Sequence, residues 1–300
     1  MALRDYLATE VALDHAEGHL SRRTALKRLG LLGLSSVAAS GLLAACAEQK
    51  GPPPTQPAPA AANPGYDVAA AIARTSTVTF PGAAGTAGTI TGAYAAPAGT
   101  PPGAVLVVHE NKGLTDFIRA VTGRFAGDGY AALAPDLLSR VGGTAAAPDA
   151  TAALGLINDA DLVADLRSGL AELARRHPGV PLAAVGFCFG GGMVWELLDA
   201  GAGDLTVAVP FYGPVPDHPK FAGNHAAVLG IFAELDMWVN IGKARADAAL
   251  TAAGLTHEFV TVPGVDHAFF NDTGPRFNEQ AATQTYARVL AWFRSHLVTT

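Results

Sequence analysis

Apolar residues follow two alternating patterns from about Tyr66 to the C-terminus. Short runs rich in β-branched residues predict strands, whereas longer stretches with apolar residues three and four positions apart predict helices. The predicted strands are Thr89–Tyr94, Ala104–His109, Ala131–Ala134, Leu182–Phe187, Thr206–Phe211, Val228–Ala233 and Glu258–Val262. The predicted helices are Asp116–Asp128, Asp159–His177, Gly191–Ala200, Gly242–Ala253 and Asn278–His296. Because strands and helices alternate, we expect one α/β domain over residues 66–300, with a mostly parallel central sheet and helices on both faces.

The composition agrees with a folded chain and narrows the classes of partner. Half of the 300 residues are apolar and 15% are charged, which excludes general intrinsic disorder. The formal net charge of −6 gives no indication of nucleic-acid binding. The two cysteines, Cys46 and Cys188, are too few for a disulfide scaffold or a multi-cysteine zinc site.

Residues 1–45 have the layout of an export signal. Arg22 and Arg23 precede a charge-free stretch from Leu29 to Ala45, an arrangement that resembles a twin-arginine signal. This stretch is diluted by glycine and serine and is short for a membrane span of about 20 residues, which favours a cleaved signal. It ends in Leu43-Ala44-Ala45-Cys46, which resembles a bacterial lipobox and implies a lipid on Cys46. We therefore expect a protein exported by the twin-arginine route and lipid-anchored in the periplasm or at the cell surface.

The segments around this signal are less typical. Residues 46–65 are rich in proline and alanine and predict a semi-rigid linker. Residues 1–20 are acidic for the positive end of a signal, and the pattern predicts no role for them. The alternative interpretation is a soluble core helix over residues 29–45, with no special role for Cys46.

A cysteine flanked by glycines connects a predicted strand to a helix. The run Gly186-Phe187-Cys188-Phe189-Gly190 has the form of a nucleophile elbow in which cysteine replaces serine. The glycines allow a close backbone approach at this sharp turn, and the following helix N-terminus favours the thiolate. The alternative is that Cys188 is a small buried apolar residue.

An acid follows a later predicted strand and a histidine follows the strand after that, which is the chain order of α/β hydrolases. Asp236 comes after the strand ending at Ala233, and His267 comes after the strand ending at Val262. His267 is the expected base for Cys188, and Asp236 is expected to orient its imidazole. Glu234 and Asp266 are alternatives to Asp236 that we rank lower.

Residues 66–300 resemble the dienelactone hydrolase, or carboxymethylenebutenolidase, family. The resemblance rests on four motifs in the correct order: His109-Glu110-Asn111-Lys112-Gly113, Ala134-Pro135-Asp136-Leu137, Gly186-Phe187-Cys188-Phe189-Gly190-Gly191 and His267-Ala268-Phe269. It implies that Glu110 contacts the resting thiol and keeps it neutral until substrate binds. It also implies an oxyanion hole formed by the backbone N–H groups of Phe189 and Asn111. No metal or organic cofactor is expected.

Some family features are missing or ambiguous. The family uses two arginines to bind a substrate carboxylate, but no arginine follows His267 closely; Arg140 and Arg276 are possible substitutes. His109 is expected to be a packed residue rather than a metal ligand. Trp195 and Trp238 either line the pocket or pack in the core.

Two functions from different classes agree with this sequence. The first is a hydrolase that cleaves a lactone, ester or thioester through a Cys188 acyl-enzyme. The second is a non-catalytic surface lipoprotein that uses the same fold to bind an apolar ligand or a partner. For the hydrolase we expect a small-molecule substrate, a monomer, no nucleic acid, and membrane contact through the lipid anchor or signal alone.

Overall fold

Eight strands form one sheet in the computed structural model, which describes residues 3–49, 67–83 and 88–297. In chain order they are β1 (Ser76–Pro81), β2 (Thr89–Ala95), β3 (Ala104–Val108), β4 (Ala131–Pro135), β5 (Leu182–Phe187), β6 (Leu205–Phe211), β7 (Ala227–Ala233) and β8 (His257–Val262). Their order across the sheet is β1-β2-β4-β3-β5-β6-β7-β8. β1 and β2 pair antiparallel, β2 also pairs antiparallel with β4, and all other pairs are parallel. The predicted α/β fold with a mostly parallel sheet is confirmed.

Helices cover both faces of this sheet, which is why its central strands are apolar along their whole length. In chain order after residue 66 they are α4 (Val68–Ile72), α5 (Asp116–Gly127), α6 (Ala150–Leu154), α7 (Asp159–Arg176), α8 (Phe189–Asp199), α9 (Met237–Asn240), α10 (Lys243–Ala252) and α11 (Glu279–His296). α5 and α11 pack together through Phe125 and Phe293, whose rings lie 5.7 Å apart, while α7 packs against α8. Every residue of β3, β4, β5 and β7 is buried, as expected for parallel strands covered by helices.

The predicted strands agree with the observed ones to within one residue, but β1 was not predicted. Its sequence, Ser-Thr-Val-Thr-Phe-Pro, lies at the sheet edge and buries only Phe80, so its apolar signal is weak. The predicted helices agree to within two residues. The short helices α4, α6 and α9 were also not predicted.

The N-terminal segment folds against the α/β domain as three helices. These are α1 (Leu3–Ala16), α2 (Arg22–Leu31) and α3 (Ser36–Gln49). α1 contacts α3 and α8, and α2 contacts α6. Cys46, in α3, is fully buried. No helix among the described residues is long and apolar enough to cross a membrane.

The structure describes only the first residues of the predicted linker. Residues 46–49 belong to α3, and residues 50–65 lie outside the described part of the chain.

Candidate active site

Cys188 lies at a strained turn between β5 and α8. Its backbone has φ 56° and ψ −119°, a conformation that L-residues rarely adopt. The turn requires glycine on both sides: a Cβ on Gly186 would lie 2.0 Å from the Gly190 carbonyl oxygen, and one on Gly190 would lie 2.3 Å from the Val108 carbonyl oxygen. The backbone therefore adopts the predicted nucleophile-elbow geometry.

Asp236 and His267 meet beside this turn. The Asp236 Oδ2 atom lies 2.6 Å from His267 Nδ1, and both side chains are buried. The Asp236 carboxylate also accepts the Val239 N–H at 3.2 Å, which fixes it at the start of α9. Because Nδ1 donates its hydrogen to Asp236, Nε2 is the nitrogen that faces the thiol side.

The two rival acids have other partners. Glu234 accepts the Gly264 N–H at 2.7 Å, and Asp266 accepts the backbone N–H of His267 at 2.7 Å. The structure thus brings Asp236, and not Glu234, to the imidazole.

Two residues of α1 reach the same centre, and the sequence pattern did not indicate them. The Tyr6 hydroxyl lies 3.1 Å from Cys188 Sγ and 3.2 Å from His267 Nε2. The Glu10 Oε2 atom lies 3.5 Å from His267 Nε2, and the thiol donates to the same oxygen at 4.0 Å. Tyr6 and Glu10 are four positions apart and therefore share one face of α1. That spacing was the available signal, but it does not indicate where the face packs.

These contacts set the protonation of the thiol and the imidazole. Burial raises the pKa of the Cys188 thiol, and the Glu10 carboxylate raises it further. Burial alone would lower the pKa of His267, but the carboxylates of Glu10 and Asp236 raise it well above its ordinary value. The thiol pKa is thus raised, although the helix N-terminus led us to expect a lowered one. With α1 in place, the resting centre holds a neutral thiol beside an imidazole that retains its proton.

Glu110 does not make the contact that the family resemblance implied. Its Oε2 atom accepts the Asn271 side-chain N–H at 2.6 Å, and its Oε1 atom is buried without a partner among the described residues. The carboxylate that reaches the thiol is that of Glu10, so the predicted Glu110–Cys188 contact is wrong for this state. Burial raises the pKa of Glu110 to about 7.

The two predicted oxyanion donors follow the ends of β3 and β5. Phe189 is the first residue of α8, directly after Cys188, and Asn111 lines the cavity next to the thiol. The Thr151 hydroxyl donates to the Asn111 carbonyl at 3.1 Å and holds this loop. Both residues lie near Cys188, and their role as oxyanion donors stays a prediction.

His109 has the predicted packing role. Its Nε2 atom accepts the Leu137 N–H at 3.1 Å, so its Nδ1 atom carries the hydrogen and donates to the Glu110 carbonyl at 2.7 Å. Burial lowers the pKa of His109, which keeps it neutral. The ring connects the loops after β3 and β4.

A cavity of about 370 Å³ opens onto the catalytic residues. Cys188 and His267 line it together with the cationic side chains of Lys112 and Arg276. Arg276 donates from Nε to Glu17 at 2.6 Å, and its Nη2 atom lies 3.6 Å from Asp14.

The other sequence candidates lie away from this cavity or at its side. Arg140 is held by Asp165 through bonds of 2.6 and 2.9 Å. Trp195 is buried in the core with its ring 5.6 Å from Phe221, whereas Trp238 borders a smaller cavity beside Asp236 and His267. Of the two candidate arginines, only Arg276 lines the large cavity.

One group of described residues could hold a metal ion. Glu10, Cys188 and His267 each offer a ligand atom, and these atoms lie within 4.8 Å of one another. Carboxylate, thiolate and imidazole suit Zn²⁺. Because two of the three are the predicted nucleophile and base, a cation at this place would compete with covalent catalysis.

The parallel sheet, the elbow after β5, the acid after β7 and the histidine after β8 define an α/β-hydrolase-type fold. The chain belongs to the dienelactone hydrolase family, whose sequence model matches residues 90–297. Membership places it among the enzymes that hydrolyse esters and lactones. The match does not include α1, α2 or α3.

Individual relatives agree with this assignment. A Salmonella typhi protein provisionally described as a carboxymethylenebutenolidase is 33% identical over 211 residues, which are 64% of this chain and 77% of the relative. A Methylorubrum extorquens protein with the same description is 31% identical over 215 residues, 66% of this chain and 74% of the relative. The crystal structure of a protein from Klebsiella pneumoniae, provisionally described as a dienelactone hydrolase, superposes with a TM-score of 0.61 at 28% identity. It covers 73% of this chain and 99% of its own.

Proposed function

We propose that the protein hydrolyses a lactone, ester or thioester through a covalent acyl-enzyme on Cys188. The observation that carries this proposal is the 2.6 Å contact between Asp236 and His267, placed beside a cysteine on a strained elbow. This set of nucleophile, base and orienting acid is the minimum that covalent acyl transfer requires.

The proposed reaction has two steps. Once Tyr6 and Glu10 have moved away and Nε2 is unprotonated, Cys188 Sγ attacks the substrate carbonyl carbon while His267 Nε2 takes the thiol proton, and the negative charge moves to the carbonyl oxygen. The N–H groups of Phe189 and Asn111 stabilise that oxygen. The intermediate then collapses, the bond to the leaving group breaks, and His267 returns the proton to the leaving group. Water, deprotonated by His267, hydrolyses the thioester and releases the acid and the thiol.

The cations at the cavity suggest which substrates fit. Lys112 and Arg276 line the cavity and pair with Asp14 and Glu17 of the N-terminal segment, whereas Arg140 pairs with Asp165 of α7. We propose that Arg276 is the residue that meets an acidic group of the substrate.

A non-catalytic binding protein is the second candidate. It is favoured by the Tyr6 hydroxyl, which is within hydrogen-bonding distance of both the thiol and the imidazole and therefore competes with proton transfer between them. The two candidates differ in whether a covalent adduct ever forms on Cys188.

Time-resolved intact mass spectrometry tests the proposal. Two proteins are mixed separately with p-nitrophenyl esters, thioesters and small lactones. One is the full chain, and the other is its Tyr6→Ala/Glu10→Ala variant, which lacks the two α1 side chains that contact Cys188 and His267. We expect a transient increase in mass equal to one acyl group, because the thiol must carry the acyl group before water removes it. Cys188→Ala should abolish the adduct, and Cys46→Ala, the matched control, should retain it. No adduct and no turnover in either chain, with Cys188 shown to be reduced, would favour the binding protein.

We also propose that the chain is exported by the twin-arginine route and lipid-anchored at Cys46 in the periplasm or at the cell surface. Supporting features are the paired Arg22 and Arg23, which are exposed at the start of α2, and the lipobox-like sequence before Cys46.

Membrane fractionation tests the anchor. Cys46→Ala should move the protein from the membrane fraction to the soluble one, whereas Cys188→Ala should leave it on membranes. If Cys46→Ala stays on membranes, the lipid-anchor proposal is wrong. Normal export of an Arg22→Lys/Arg23→Lys chain would argue against the twin-arginine route.

A further inference from the structure

Helix α1 occupies the hydrogen-bonding positions that catalysis needs. General-base catalysis requires His267 Nε2 to accept the thiol proton. In this structure the near neighbours of Nε2 are the Tyr6 hydroxyl at 3.2 Å and the Glu10 carboxylate at 3.5 Å. The same hydroxyl lies 3.1 Å from Sγ. A substrate carbonyl that approaches Sγ would have to displace it.

The charge of Glu10 opposes formation of the nucleophile. A carboxylate 4.0 Å from Sγ disfavours the thiolate, and the same carboxylate holds a proton on His267. The first effect opposes the thiolate, and the second leaves His267 unable to take the thiol proton, although the charged imidazole by itself lowers the thiol pKa. Tyr6 and Glu10 therefore oppose the reaction through their contacts with Cys188 and His267, and they do so without closing the cavity, which still reaches Cys188.

Apolar and charged contacts hold α1 in this position. Its apolar residues Leu3, Leu7 and Val11 are buried in the shared core. At its C-terminal end, Asp14 and Glu17 pair with cations of the hydrolase domain. Asp14 lies 3.4 Å from Lys112, and Glu17 accepts from Arg276. Acidic groups of the N-terminal segment thus neutralise two cations of the domain that line the cavity, Lys112 and Arg276.

We infer that helix α1 is an intramolecular inhibitor of the Cys188 centre, and that the enzyme becomes active when this helix leaves. The inference rests on the proposed function of Cys188 as the nucleophile. Removal of residues 1–45, the proposed signal, would take away Tyr6, Glu10, Asp14 and Glu17 together. The full chain would then be latent until it is processed.

The rate of Cys188 alkylation in the full chain tests this inference without requiring a substrate. Iodoacetamide labelling is followed by peptide mapping, which separates Cys188 from Cys46. We expect Tyr6→Ala/Glu10→Ala to label Cys188 at least about tenfold faster than the unmodified chain, because a closed state populated to 90% or more suppresses the reaction by that factor. Asp5→Ala changes an exposed acid of the same helix and should label at the unmodified rate. Near-ultraviolet circular dichroism checks that each variant is folded.

A charge-reversal pair gives a second test that leaves Tyr6 and Glu10 in place. Glu17→Lys should repel Arg276 and accelerate labelling. Adding Arg276→Glu should slow labelling again, although Asp14, 3.6 Å from Arg276 Nη2, opposes part of the recovery; a merely misfolded variant would show no recovery. Equal labelling rates in the unmodified and double-alanine chains would overturn the inference. So would slower labelling with lower turnover in the double-alanine chain, because α1 would then be part of the working site. Faster labelling without turnover in any chain would support the inhibitory contact and contradict the proposed function.

Discussion

Replacing His267 by glutamine is expected to lower kcat/KM for an activated ester by about 10²–10⁴-fold, the usual contribution of a positioned acid–base group. Glutamine can still donate a hydrogen bond to Asp236, which lies 2.6 Å from His267 Nδ1, but it cannot take the thiol proton. The assay uses the Tyr6→Ala/Glu10→Ala chain as parent, so that α1 does not limit the rate.

A matched control separates catalysis from general damage. His225 is exposed and lies outside the cavity, so His225→Gln should leave kcat/KM unchanged. The melting temperature of each variant reports folding. If His267→Gln retained activity within about twofold of its parent, the base assignment would be wrong.

Replacing Glu110 by glutamine is expected to stabilise the protein at pH 8 and to have little effect at pH 4.5. The folded-state pKa of Glu110 is about 7 because of burial, against an ordinary value of 4.5. Between these values the folded state binds the extra proton, so the stability of the unmodified protein falls as pH rises from about 4.5 to 7. A shift of this size corresponds to about 3 kcal/mol. Glutamine cannot ionise, and its carbonyl oxygen can still accept the Asn271 N–H.

Denaturant unfolding at pH 4.5 and pH 8 measures this difference. Glu258→Gln is the control, because Glu258 lies on β8 with its side chain 37% exposed. Stability changes that are equal at the two pH values would show that Glu110 does not titrate between them. The ionised Glu110 also raises the pKa of the Cys188 thiol. Above pH 7 we therefore expect Cys188 to be alkylated faster in Glu110→Gln than in the unmodified protein.

The core of the site could be predicted because its signals are local. The elbow depends on Gly186 and Gly190 beside Cys188, and the acid and base follow strands whose apolar runs are continuous. Parallel strands then bring these chain positions to one edge of the sheet. β1 escaped prediction because it is an edge strand with a single buried side chain.

The contacts that control the site depend on packing between distant segments. Asn271, whose side-chain N–H donates to Glu110, is 161 residues from Glu110 along the chain, and Tyr6 is 182 residues from Cys188. Periodicity indicates that α1 has an apolar face, but not which surface it covers. The sequence also could not indicate whether Arg140 or Arg276 lines the cavity. That depends on the positions of their acidic partners, which are Asp165 for Arg140 and Asp14 and Glu17 for Arg276.

The distance along the chain between Tyr6 and His267, 261 residues, has a consequence for the order of events during synthesis. α1 is synthesised before the α/β domain. The surface that it packs against is complete only when the loop after β8, which carries His267, has been synthesised. Contacts between such distant segments form late, because a long loop must close before they can be gained. While the rest of the chain is being made, the N-terminal segment is therefore free to meet a receptor. The proposed export and the proposed self-inhibition would then compete for the same residues, and the rate at which β8 and its loop fold would decide how long the segment stays available.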